Sequence, residues 1–146
     1  MFLGRYEHTL DEKGRLTIPV RYREELADGA YITLGFDENL LLFTQPFFEQ
    51  VYQKGSQLSI TDPTARELQR QIFSNADRLE IDRTGRILIP PFLREAVQLN
   101  GDAVILGMGN YFEIWPRQAW LDHTHRISAE PNAVGRFAAL DISLER

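Results

Sequence analysis

The sequence predicts an α+β fold built from two tandem copies of one unit. Three observations support this. First, residues 11–19 read Asp-Glu-Lys-Gly-Arg-Leu-Thr-Ile-Pro, and residues 82–90 read Asp-Arg-Thr-Gly-Arg-Ile-Leu-Ile-Pro, each 71 positions after its match. A repeat of this length marks two copies of a folding unit, so any surface that one copy presents is presented twice. Second, apolar and polar residues alternate behind each glycine. Leu16 and Ile18 alternate with Arg15 and Thr17, and Ile87 and Ile89 take the inward places in the second copy, the period of a half-buried strand. Third, a proline ends each motif and leads into apolar residues spaced by four, the period of a helix face.

Each copy predicts the same order of elements. Residues 6–10 and 15–18 form two short strands, with Leu10 matched by Ile81. Asp11 to Gly14 joins them, as Asp82 to Gly85 does in the second copy. Asp can close an Asx-turn on its own backbone, and Gly takes a positive φ without steric cost. Pro19 and Pro90 open a short helix, because a missing N–H costs nothing in the first turn. Its buried face carries Tyr22 and Leu26, or Leu93 and Val97. One inserted residue then shifts the offset to 72, so that Leu34-Gly35 falls on Leu106-Gly107, Phe43 on Trp115 and Phe48 on Trp120. Two further hairpins follow, Tyr31–Leu34 with Leu40–Phe43 and Ala103–Leu106 with Tyr111–Trp115.

The units therefore span 5–50 and 76–122. Between them, 51–75 is a helical linker. Pro46 begins one helical stretch with Phe47, Phe48 and Val51, which Lys54-Gly55-Ser56 breaks. Asp62 caps the next helix, Pro63 takes its first position, and Leu68 and Ile72 line one face. The tail, 123–146, carries a helix near Ala133–Leu144. One unit alone encloses little core. Two units pair into a pseudo-dimer that closes one small barrel-like sheet core, with the two Gly-Arg tips at symmetry-related places.

Composition narrows the function. The 146 residues are 43% apolar, carry a net charge of −5 and include no cysteine. Disulfides, thiolate metal sites and a cysteine nucleophile are excluded, and a cytoplasmic location is expected. No apolar run is long enough for a membrane helix, and the first residues lack the pattern of a signal peptide. The net charge weighs against a nucleic-acid partner. That objection concerns an average, however, whereas a duplex meets a local patch. Lys13 and Arg83 lie within the two tips, Arg5 and Arg78 sit near their bases, and Arg21 and Arg23 open the first helix. Many acids lie elsewhere, among them Asp37, Glu38, Asp62, Glu67, Asp122, Glu130, Asp141 and Glu145.

Turn geometry explains the Asp and Gly of each tip. It does not explain why Arg15 and Arg86 recur at one place. A guanidinium fork suits phosphate oxygens and guanine edges alike, and Asp11 or Asp82 can accept from it and fix its direction. For Arg21 and Arg23, a solvated helix face serves as well as DNA contact. Of the aromatics Phe43, Phe47, Phe48, Tyr111, Phe112, Trp115 and Trp120, Phe43 matches Trp115 and Phe48 matches Trp120 between copies, which favours core packing over base stacking. His123 and His125 have no third ligand at a useful spacing. No nucleophile elbow, phosphate loop or dinucleotide fingerprint occurs. An arginine beside each Asp lowers its pKa, opposite to what a general acid needs. Catalytic, metal and cofactor sites are therefore expected to be absent.

The opening Met1-Phe2-Leu3-Gly4, the stretch Tyr6 to Pro19 and the later Asp82 to Pro90 resemble the MraZ family of bacterial regulators, which contain two tandem SpoVT/AbrB-type domains. The resemblance covers nearly all of residues 1–122. It implies a swapped-hairpin (double-split) β-barrel with short flanking helices, in which the two halves act as the two chains of an AbrB-like dimer. It further implies a homo-oligomeric ring. Such a ring would bind double-stranded DNA at tandem promoter repeats of the division and cell-wall gene cluster, and would usually repress that cluster from a nucleoid-associated position. The family's Asp-x-x-x-Arg signature falls on Asp11 with Arg15 and on Asp82 with Arg86. The expected DNA-binding residues are these four with Gly14, Gly85, Lys13, Arg83, Arg5 and Arg78. The copies differ at the tip, where Lys13 of copy one and Arg83 of copy two are offset, so the tips are expected to touch DNA unequally. An antitoxin-like interaction module is the alternative, because the same superfamily contains antitoxins.

Overall fold

The computed structural model describes residues 1–142. Strand β1 (Arg5–Thr9) and strand β2 (Arg15–Thr17) flank the first tip. Helix α1 (Val20–Arg23) continues into a 3-10 turn, Glu24–Leu26. Strands β3 (Ala30–Leu34) and β4 (Leu40–Thr44) form a hairpin. Helices α2 (Gln45–Ser56) and α3 (Pro63–Phe73) follow. The second copy repeats the order: β5 (Asp77–Leu79), β6 (Arg86–Leu88), α4 (Pro91–Val97), then the hairpin β7 (Asp102–Gly107) and β8 (Tyr111–Pro116). Helices α5 (Arg117–Ser128) and α6 (Ala133–Ala138) end the described chain.

The strands on either side of each tip do not pair with each other, so neither tip closes a self-paired hairpin. Every one of them pairs across the repeat boundary. β1 runs antiparallel to β7, with Tyr6 opposite Ile105. β5 runs antiparallel to β3, with Tyr31 opposite Arg78. β2 and β6 pair with each other, with Leu16 opposite Ile87. β4 and β8 join the two halves, giving a six-stranded sheet of order β1-β7-β8-β4-β3-β5 and a separate two-stranded β2-β6 ribbon. Among the described residues no ladder joins β1 to β5, the two ends of the sheet. The architecture is thus mixed α+β with antiparallel strands exchanged between repeats.

One apolar cluster draws on both copies and on both sheets. Leu16 and Ile87 of the ribbon, and Ile18 and Ile89 just past its strands, are fully buried with Ile32, Leu42, Ile105, Phe112 and Ile114 of the large sheet. Phe2, Tyr22 and Phe112 pack edge-on and tilted at ring separations of 4.8–5.2 Å, and the Tyr22 hydroxyl donates to the Leu3 carbonyl at 2.7 Å. The aromatics expected to pack do so. Phe43 and Trp115 are buried, Tyr31 stacks on Phe48 at 4.3 Å, and Trp115 meets Trp120 and the His123 ring.

The helix signals acted close to where the sequence placed them. Asp62 caps α3 by accepting from the Thr64 N–H, with Pro63 first. Pro19 and Pro90 occupy the cap position rather than the first helical one, which Pro91 takes in α4. The inserted residue falls between Val97 and Gly101, where Gln98 adopts a left-handed φ of 56° at the end of α4. Helix α5 begins 72 positions after α2 and has the same length of 12 residues, a helix for which the sequence shows no separate cap signal. Helix α6 is shorter than the expected Ala133–Leu144, whose last two residues lie outside the described chain. No described helix is long and apolar enough to cross a membrane.

Candidate nucleic-acid interface

Two turns of nearly identical design flank the β2-β6 ribbon. In the first, the Asp11 N–H donates to the Arg15 carbonyl at 3.0 Å and the Gly14 N–H to the Asp11 carbonyl at 3.0 Å. The Asp11 carboxylate then organises the turn. Its Oδ1 accepts the N–H groups of Lys13 and Arg15, both at 2.9 Å. Its Oδ2 accepts Nε of Arg15 at 2.6 Å. In the second turn, Asp82 Oδ1 accepts from the Thr84 N–H at 2.9 Å, the Thr84 hydroxyl at 2.8 Å and the Arg86 N–H at 3.0 Å. Oδ2 accepts Nε of Arg86 at 3.2 Å. Gly14 and Gly85 have φ of 84° and 81°, a region that L side chains adopt at a cost.

These bonds stabilise the ionised carboxylates. Asp82 is held down at about 2, chiefly by the Arg86 N–H, with the Thr84 hydroxyl next. Asp11 is lowered as well, with the Arg15 N–H the largest cause. Both side chains are therefore anionic acceptors at neutral pH, and each aims the guanidinium next to it.

The strand period separates the ribbon's two faces. Leu16 and Ile87 point into the core. Arg15 with Leu88, and Thr17 with Arg86, lie opposite each other on the outer face. The Arg15 and Arg86 side chains are 31% and 30% exposed, so neither fork is locked in the interior. Lys13 and Arg83 are exposed on the turns themselves. Four cations and three carboxylates thus occupy residues 11–15 and 82–86, a local excess of positive charge in an acidic chain.

The two tips are not equivalent. Arg86 also reaches Asp11 Oδ2, Nη1 lying 3.5 Å away, so Asp11 receives arginines from both repeats. Leu88, 53% exposed, stands where repeat one has Thr17. Arg5 and Arg78 are not gathered with the tips. They lie on β1 and β5, the two ends of the large sheet. Arg5 is exposed. Arg78 pairs with Glu80 at 2.9 Å and donates to the Asp28 carbonyl at 3.0 Å.

Two further arginines reach the tips by crossing between repeats. Arg23 of α1 donates Nε to the Ile18 carbonyl at 2.9 Å, and its guanidinium lies against Gly85 of the second repeat. Arg94 of α4 donates Nε to the Ile89 carbonyl at 3.0 Å and lies against Gly14 of the first. The two are 71 positions apart, the offset of the repeat. Their destination was invisible because it depends on strand exchange. No group of three potential metal-ligating side chains occurs among the described residues.

The MraZ family model, whose description includes the term antitoxin-like, matches the chain twice, over residues 1–71 and 72–141. The chain belongs to the MraZ family. Relatives agree over most of their length. A protein of Herpetosiphon aurantiacus named transcriptional regulator MraZ is 47% identical over 82% of this chain and 84% of its own. One of Roseiflexus castenholzii with the same name is 48% identical over 82% and 84%. Another, of Thermomicrobium roseum, is 41% identical over 96% of this chain and 99% of its own. The MraZ family is accordingly one of transcriptional regulators rather than of enzymes.

Proposed function

We propose that the protein is a sequence-specific DNA-binding transcriptional regulator whose β2-β6 ribbon and flanking tips face the duplex. One observation carries this reading: Arg15 and Arg86 share the outer face of one two-stranded ribbon, each aimed by its own carboxylate. A major groove about 12 Å wide admits a two-stranded ribbon, and an arginine on it can take both acceptors of a guanine. Lys13 and Arg83, at the turns, suit the flanking phosphates. Arg5 and Arg78 are secondary candidates, because neither belongs to the ribbon. We read the ribbon as closing a swapped-hairpin barrel over the large sheet, since its inner residues belong to the same core cluster. We retain 5–50 and 76–122 as the two SpoVT/AbrB-like units.

The remaining features are part of the same proposal. Subunits assemble into a homo-oligomeric ring and engage tandem promoter repeats upstream of the division and cell-wall gene cluster, usually repressing it, in the cytoplasm at the nucleoid. A single pair of tips has little excess positive charge, so several tips on one DNA gain affinity through effective concentration. Family membership and the doubled tip support this view.

The test is a mobility shift with DNA from upstream of the protein's own gene, comparing one repeat with several. Wild-type protein should bind the multi-repeat fragment far more tightly, and Arg15→Ala should lose binding while still folding. Wild-type affinity in the Arg15→Ala protein would remove the assignment. The antitoxin-like alternative rests on the family description, and co-purification of a small toxin would favour it.

A further inference from the structure

We propose that Arg23 and Arg94 are positioning residues, each holding the tip of the opposite repeat in its DNA-facing shape. The functional half of this inference rests on the DNA-binding reading, whereas the structural half stands alone.

The contacts are reciprocal. A β-carbon built on Gly85 would come within 2.2 Å of Arg23 Cζ, and one on Gly14 within 2.4 Å of Arg94 Cζ. Each guanidinium therefore occupies the space that a side chain at the tip glycine would need. The same arginines anchor on the ends of the ribbon. Ile18 donates its N–H to the Gly85 carbonyl at 2.8 Å while its own carbonyl accepts from Arg23. Ile89 donates to the Gly14 carbonyl at 3.1 Å while its carbonyl accepts from Arg94. Each clamp thus joins a helix of one repeat, the ribbon end and the glycine of the other repeat.

The placement matters because Gly14 and Gly85 immediately precede Arg15 and Arg86 in the chain. A tip that rocks at its glycine swings the arginine on the groove-facing side. Guanidinium planarity suits this task. It lies flat against a glycine and donates from Nε in a fixed direction, which a lysine ammonium cannot do. Because the two clamps cross, the tips are held as one unit, and loss of one clamp loosens the tip of the other repeat.

The experiment uses the full chain and four variants: Arg23→Ala, Arg23→Lys, Arg94→Ala and Arg94→Lys. Hydrogen exchange resolved to peptides is read without DNA. Arg23 variants should speed exchange around residues 83–88, and Arg94 variants around residues 12–17. Exchange that rises only within the variant's own repeat, or not at all, overturns the proposal. Affinity for the multi-repeat fragment from upstream of the gene is then measured over a range of salt. Coupling between contacting residues corresponds to roughly a tenfold change in affinity. A positioning role predicts that loss for Lys and Ala alike, with the slope of log K against log salt unchanged. A phosphate contact would instead lower the slope by about one and be largely retained by Lys, and that result overturns the proposal. The Lys variants keep the charge and the aliphatic stem, so they serve if an Ala variant unfolds. Crossed exchange effects in a protein that binds no DNA would leave the clamps in place and remove the DNA-binding reading alone.

Discussion

Leu16→Ala tests the strand exchange most directly. Leu16 is fully buried and faces Ile87 across the β2-β6 ribbon, so its packing belongs to both repeats. The substitution removes three carbons. At about 0.8 kcal/mol per buried methylene this is about 2.4 kcal/mol of transfer free energy. The cavity left behind adds to it, and buried Leu→Ala changes cost about 2–5 kcal/mol altogether. For a chain of this size the midpoint of thermal unfolding should fall by roughly 5–15 °C. Leu88→Ala, one residue from Ile87 but 53% exposed, should change stability by no more than about 0.5 kcal/mol. The assay is denaturant and thermal unfolding at matched protein concentration, with hydrogen exchange followed in both repeats. The loss should appear as a single transition in which protection falls in β6 and β7 of repeat two as well as in β2. If the variant unfolds in two steps, with repeat two as protected as in wild type, the repeats do not share a core and the reasoning fails.

Two other outcomes follow from the tip chemistry. The Asp82 carboxyl titrates at about 2 when folded, against an ordinary value of 3.8. Its stabilising effect is therefore present above about pH 4 and is lost as pH falls toward 2. Acid unfolding of wild type should steepen in that window, and Asp82→Asn should remove part of the slope. An unchanged acid profile would show that the bonds to Thr84 and Arg86 do not persist in solution. The asymmetry of the carboxylates gives the other outcome. Asp11 receives both Arg15 and Arg86, whereas Asp82 receives Arg86 alone, so Asp11→Asn should weaken DNA binding more than Asp82→Asn in the same mobility shift. Equal losses would mean that the cross-repeat contact has no functional weight.

Much of the tip is legible in the sequence, because its chemistry is local. The Asp-to-backbone bonds span two and four residues, the positive φ sits on glycine, and the Asp–Arg pairs lie four apart. The same holds for the β3-β4 and β7-β8 hairpins and for the Asp62-Pro63 start of α3. Helix α5 was less visible. Its first turn has no side-chain cap, and its resemblance to α2 rests on few matched side chains. Arg78 illustrates a different loss. Near the tip in sequence, it is engaged by Glu80 and the Asp28 carbonyl, the latter fifty residues away.

The amino-acid sequence alone determined that two units exist, where their turns lie and which side of each strand is apolar. The turns and the apolar faces depend on residues within a few positions of one another, and the two units show as a motif match at a constant offset of 71. Only the tertiary structure decided which strands meet. β1 can satisfy its backbone groups on any strand of suitable length, and alternation alone does not choose among partners of the same pattern. The choice of β7 for β1, β3 for β5 and β6 for β2 comes from packing both apolar faces into one core, a collective burial to which neither repeat contributes enough alone. That same choice carried Arg23 and Arg94 to glycines of the opposite repeat.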